Sequence, residues 1–254
     1  MNWEEKLNKF LEDFKYKDDI VGILVCGSYI TGNPSSHSDL DVHIILNEKV
    51  DYRERGNKII EGLLIEYFAN PPKQIREYFK EDYKNIRPMS QTQFITGKIL
   101  LDKTGEVQKL KEEAMKMLDK NYSDLNTGIN ELSKYEMWDM LDDLQDCLDN
   151  DREDFDFIYY CNLDKLISLY MKHIKYSYHK KTILGNITSE IARNKYLLKE
   201  LPDEDIKNLI KNCILLKNQE ERMKNYELLT NKIFDLTGGF DIGAFKFKSS
   251  LDYE

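Results

Sequence analysis

The 254-residue chain has no run of 18 apolar residues, no Cys-x-x-Cys pair and no excess of basic residues. Each absence removes a class of protein. Without a long apolar run, and with a mean hydropathy of −0.61, no membrane span is expected. The four cysteines, at 26, 147, 161 and 213, are scattered. They fit reduced thiols of a cytoplasmic protein better than a disulfide frame or a zinc site. The 37 basic residues are outnumbered by 46 acidic ones, giving a net charge of −9. That balance argues against a protein that coats nucleic acid. The opening MNWEEKLNKF lacks a basic segment leading into an apolar one, so no signal peptide is expected. No internal repeat or low-complexity segment is visible, and 41% hydrophobic residues exclude a disordered tail.

The charge is unevenly distributed. Residues 118–156 hold 13 acids and 3 bases, whereas residues 157–254 hold 13 acids and 16 bases. One stretch therefore carries the whole imbalance.

Periodicity divides the chain in two. Asn2 with Glu5 has capping-box spacing, and Trp3, Leu7, Phe10, Leu11 and Phe14 form one helical stripe. IVGILVC (20–26) and LDVHIIL (about 40–46) read as buried strands. NKIIEGLLIEYFANPP (57–72) reads as a hairpin turning at Glu61-Gly62, and a helix follows over about 73–84. Residues 18–70 thus form a small sheet flanked by helices. Beyond Asp102–Gly105, the segments 106–119, 128–149, 154–179, 188–199, 203–217 and 219–236 carry helical spacing, with Gly185-Asn186 and Pro202-Asp203 as turns. Gly238-Gly239 ends the last long helix, and the tail from Phe240 either packs back or stays loose. The fold class is α+β: a small mixed-sheet domain over 1–105, then an all-helical domain over 106–254.

The chemistry concentrates in CGSYITGNPSSHSDLDVHIIL (26–46). Strand side chains alternate faces, so Asp39 and Asp41 point to one side. Two such carboxylates repel unless a cation sits between them, and a hard divalent cation such as Mg²⁺ suits them. Gly27 lets the backbone approach a phosphate, and Ser28 can donate to its oxygens. Glu66, in the otherwise apolar LLIEYF, supplies a third carboxylate if its strand lies beside that of Asp41. Two Mg²⁺ ions held this way would clamp the attacking and leaving oxygens of a phosphoryl displacement.

V-C-G-S (25–28) followed by D-L-D-V (39–42) resembles the motif of the nucleotidyltransferase superfamily, which includes DNA polymerase beta and the antibiotic nucleotidyltransferases. The plan of one small catalytic domain and one helical domain is most like the kanamycin, streptomycin and lincosamide enzymes. TGKILLD (96–102) shares their character. The resemblance implies a nucleotidyltransferase fold and an enzyme. It implies that Asp39, Asp41 and Glu66 are catalytic and bind Mg²⁺. It also implies nucleotide contacts from Gly27, Ser28 and Ser38. The expected reaction moves a nucleoside monophosphate, AMP where the donor is ATP and not another nucleoside triphosphate, onto a hydroxyl of a small acceptor such as an aminoglycoside-type antibiotic, releasing pyrophosphate.

Other residues are read against plainer alternatives. His43 shares the parity of Asp39 and Asp41, but a strand histidine is more often a packed, satisfied residue. His37 reads as exposed. Asp139, Asp142, Asp143, Asp146 and Asp149 fall on one helical face, opposite Trp138, Leu141, Leu144, Gln145 and Leu148. Such a stripe is either a solvated surface or a wall for a cationic acceptor, with Asp142, Asp143 and Asp146 as acceptor ligands or general base. Lys181 and its neighbour Lys180 either complement the end of helix 154–179 or contact the triphosphate. Arg87 is a weaker candidate for that contact. The site is expected in the cleft between the two domains. Rival readings are a protein-nucleotidylating enzyme and a non-catalytic nucleotide-sensing or toxin-neutralising module.

Overall fold

The structure is a computed structural model and describes residues 2–118, 122, 126 and 128–249. It comprises two compact units, Met1–Asp124 and Leu125–Glu254.

In the first unit, helix α1 (Trp3–Glu12) starts as expected, with the Asn2 side chain accepting from the Glu5 N–H at 3.0 Å. Five strands follow in the sheet order β3-β4-β2-β1-β5: β1 Ile20–Cys26, β2 Leu40–Leu46, β3 Glu54–Ile60, β4 Leu63–Asn70 and β5 Lys98–Asp102. Only β2 and β4 pair in parallel; the other neighbours are antiparallel. The mixed α+β sheet is therefore present. β1 is apolar throughout, and β2 is apolar except for Asp41 and His43, because both faces of these strands are largely covered. One face packs Leu7, Phe10 and Phe14 against Val25, Val42, Ile44 and Ile65. The other packs Leu24, Cys26 and Ile45 against helices α3 (Pro72–Lys84), α4 (Met89–Thr96) and α5 (Glu106–Leu118) through Ile75, Phe79, Phe94, Val107 and Leu110. The Glu61-Gly62 turn has both φ values positive, +49° and +80°, the geometry that suits a two-residue hairpin.

Two features depart from the sequence reading. The sheet extends beyond residues 18–70, because β5 adds an antiparallel edge to β1. The first compact unit also runs past residue 105. Helix α5 buries Val107, Leu110 and Ala114 against the sheet, so it packs with the strands.

The second unit is helical: α6 Glu131–Asp149, α7 Phe155–His173, α8 Ile183–Thr188, α9 Glu190–Tyr196, α10 Glu204–Leu215 and α11 Gln219–Leu236. Its core gathers Met137, Leu144, Tyr159, Leu166, Tyr170, Ile210, Tyr226 and Ile233. Helix α7 stops at His173, short of the expected residue 179. Lys175 reverses to φ +55°, and the Tyr176 N–H closes back on the Met171 carbonyl at 2.8 Å. Gly185 and Asn186 lie inside α8 and not in a turn. The buried Asn186 carboxamide accepts from the His179 N–H at 3.0 Å, which organises the preceding segment. The tail packs back at least through Phe245: Phe240 stacks on Phe234 and Phe245 on Tyr135. In the acidic stretch, residues 119–121, 123–125 and 127 lie outside the described residues. Among the described residues, no helix is long and apolar enough to cross a membrane.

Candidate active site

β1 ends at Cys26 and the chain turns on Gly27, whose φ is +74°. Gly27 answers two demands at once. Its backbone lies in a region that L side chains avoid, and a Cβ there would collide with the Asp41 carboxylate. The Asp41 carboxylate therefore occupies the space that a side chain at position 27 would need. Ser28 opens the four-residue helix α2 (Ser28–Thr31) directly after it and is half-buried. The loop beyond is exposed from Gly32 to His37. Ser38 is used locally: its hydroxyl accepts from the Ser35 N–H at 2.9 Å.

Asp39 immediately precedes β2, and Asp41 lies on it, paired across the sheet with Cys26. The parallel β2–β4 register places Asp41 beside Glu66. One oxygen from each of Asp39, Asp41 and Glu66 falls within 4.8 Å of the others, all three side chains being partly buried. The charges are felt locally. Burial, then Asp39, then Glu66 push the Asp41 carboxyl up to about 6. Burial and the Asp41 and Asp39 charges push the Cys26 thiol well above its usual range, so it stands as a neutral wall. The donor set is three carboxylates without nitrogen or sulfur, and it fits a hard divalent cation.

His43 follows Asp41 on the same face and packs behind it. The ring stacks on Phe68 at 5.3 Å, lies 4.9 Å from Phe94, and meets Gln93 Oε1 at 3.3 Å through Nε2. Burial lowers its pKa to about 4, which keeps the imidazole neutral. The ring is packed as the plainer reading of a strand histidine expects, but it is only half satisfied, because Nδ1 is buried without a hydrogen-bond partner.

The structure thus brings Gly27, Ser28, Asp39, Asp41 and Glu66 to one end of the sheet. Lys181, Asp142, Asp143 and Asp146 belong to the second unit. Lys181 is exposed in a short turn at Lys180–Thr182, beyond the end of α7, so it does not cap that helix. Lys180 pairs with Asp164 at 2.6 Å. All five aspartates of the α6 stripe are exposed. The buried face of α6 is Lys134, Met137, Leu144 and Cys147, whereas Gln145, placed on that face by the sequence pattern, is exposed. Arg87 is exposed in the connection between α3 and α4.

One residue at the site escaped the sequence reading. Arg55 on β3 reaches Glu66 Oε1 through Nη2 at 2.6 Å, with its guanidinium 4.8 Å over the Phe68 ring. The available signal was alternation: Arg55 and Asn57 share one face of β3, and Asn57 pairs with Glu66 in register.

No curated protein matches the chain. Among solved structures, a nucleotidyltransferase-like protein from Exiguobacterium sibiricum 255-15 is similar, at 12% identity and a TM-score of 0.45 over 92% of this chain and 79% of that one. Residues 7–95 match the family model for the nucleotidyltransferase domain, a span that includes Gly27, Ser28, Asp39, Asp41 and Glu66. The first unit therefore contains a nucleotidyltransferase domain.

Proposed function

We propose that the chain is a Mg²⁺-dependent nucleotidyltransferase that moves AMP from ATP to a hydroxyl of a small acceptor and releases pyrophosphate. The observation that carries this reading is the three-carboxylate cluster, set within residues that match the nucleotidyltransferase domain. Asp39, Asp41 and Glu66 would hold two Mg²⁺ ions. When bound, the metal offsets charge on the phosphoryl oxygens and acidifies the acceptor hydroxyl. The chain's own residues do the rest. Gly27 allows the backbone to approach the triphosphate closely, and the Ser28 hydroxyl donates to a phosphate oxygen. Ser38 keeps the 35–38 loop folded beside Asp39, and this supports a positioning role toward the nucleotide. Lys181 is proposed as a second-unit contact to the triphosphate.

A cationic acceptor of the aminoglycoside type is supported by the α6 stripe. Asp139, Asp142, Asp143, Asp146 and Asp149 are exposed, and among the described residues none forms an ion pair. Asp142, Asp143 and Asp146 are proposed to receive ammonium groups or to take the acceptor proton. Cytoplasmic residence is supported by four free thiols, three of them buried.

The test is pyrophosphate release from Mg²⁺-ATP and Mg²⁺-GTP in the presence of aminoglycosides, lincosamides and simple amino sugars. ATP-dependent release with a cationic acceptor, abolished by Asp41→Asn, is expected. Turnover retained in both Asp39→Asn and Asp41→Asn overturns the metal assignment.

A further inference from the structure

We infer that Arg55 is a built-in counter-ion of the carboxylate site, occupying Glu66 until a divalent cation takes its place. The inference rests on the metal-site reading above. Three carboxylates within 4.8 Å of one another repel when no cation lies between them. The structure relieves part of that repulsion by giving Glu66 a guanidinium partner at 2.6 Å.

The geometry suits a partner that leaves. Arg55 is 69% exposed, whereas Glu66 is 20% exposed. The cation can therefore swing into water while the carboxylate stays fixed on β4, beside Asp41. Phe68 supplies a resting face, with the guanidinium 4.8 Å above its ring. Phe68 is itself backed by the His43 ring and so holds its position. The neighbouring Arg53 is built differently. It donates to the Tyr78 hydroxyl at 2.7 Å, and among the described residues the ion pair to Glu66 comes from Arg55.

A divalent cation that needs a Glu66 oxygen must first break the Arg55 pair. Its apparent affinity is lowered by the fraction of molecules in which Glu66 is free. An exposed pair of this type is weak, so the expected penalty is about three- to five-fold in Kd.

The test is Mn²⁺ binding to the full chain without nucleotide, followed by the free-Mn²⁺ electron paramagnetic resonance signal. Arg55→Gln should tighten Mn²⁺ binding about three- to five-fold, and Arg55→Lys should fall between it and the wild type. Arg53→Gln removes the same charge two residues away and should bind like the wild type. Melting in EDTA, measured alongside, reports any loss of fold. An unchanged or weaker Kd in Arg55→Gln overturns the proposal and leaves the metal site standing. Equal tightening in Arg53→Gln also overturns it, because general electrostatics would then suffice. If the wild type binds no Mn²⁺ and Asp41→Asn behaves identically, both the proposal and the metal-site reading fall.

Discussion

Gly27 and Asp41 are a pair in which one residue's lack of a side chain sets the position of the other. Gly27→Ala should lower kcat/KM at least 100-fold while costing only about 1–2 kcal/mol of stability from the left-handed backbone. A parallel loss of fold and activity, read by melting and turnover together, would refute that division. Asp41 carries a second expectation, for the metal-free protein. Its carboxyl is pushed up from 3.8 to about 6, so the native state holds a proton that the unfolded chain releases earlier. Stability from this group is full below its ordinary value and is lost as the pH rises through about 6. In EDTA at pH 7.5, Asp41→Asn should therefore melt higher, by about 1–2 kcal/mol after allowance for its partial exposure. A lower melting temperature would show that the carboxylate is not under strain. Gly27, Ser28, Asp39 and Asp41 were legible as candidates because their spacing follows strand alternation and one tight turn, whereas Glu66 was legible only on the condition that its strand lies beside β2. Arg55 was not legible, because its contact with Glu66 depends on how β3 registers on β4. The surroundings of His43 were hidden for a similar reason: Phe68, Phe94 and Gln93 come from two other elements.

Helix α5 illustrates how packing assigns an element to a unit. A Cβ on Gly22 of β1 would collide with the Val107 side chain of α5, and it would also lie 3.2 Å from the Leu101 carbonyl oxygen. Gly22→Ala should destabilise the first unit by about 1–3 kcal/mol. Adding Val107→Ala should return part of that loss, a non-additivity expected only for residues in contact. Strictly additive losses in urea unfolding would remove α5 from that face. The change from strands to helices after residue 102 was visible in the periodicity, but not which core α5 joins. β5 escaped notice for a related reason. KILLD has only five residues, and its pattern of partial exposure is that of an edge strand. The opposite error occurred at α7. Apolar spacing continues through Tyr176 and Tyr178, yet the left-handed Lys175 ends the helix, and nothing in local spacing announces that reversal.

The two compact units have separate cores, and the charge imbalance falls mainly in the second. Leu166→Ala, deep in the helical core, should cost about 2–5 kcal/mol there. The stabilisation of the first unit by Mn²⁺ should stay the same. An equal loss of that stabilisation would join the two units into one cooperative block. Replacing Asp142, Asp143 and Asp146 with Asn should raise KM for a cationic acceptor well beyond any change for ATP; unchanged values for both would leave the stripe as solvated surface. The sequence alone located the charge but left its orientation open, and exposure along α6 now decides that much. The parallel pairing of β2 with β4 has a consequence for how the chain tolerates length changes. Asp41 and Glu66 meet only because β4 registers on β2 without slippage. A residue added to the exposed stretch at 47–49 leaves this alignment intact. One inserted between Leu63 and Glu66 either turns the glutamate to the opposite face or forces a bulge. Insertion scanning across 47–70 should therefore divide sharply: it should be permissive before β3 begins and inactivating within β4, even where the protein still folds.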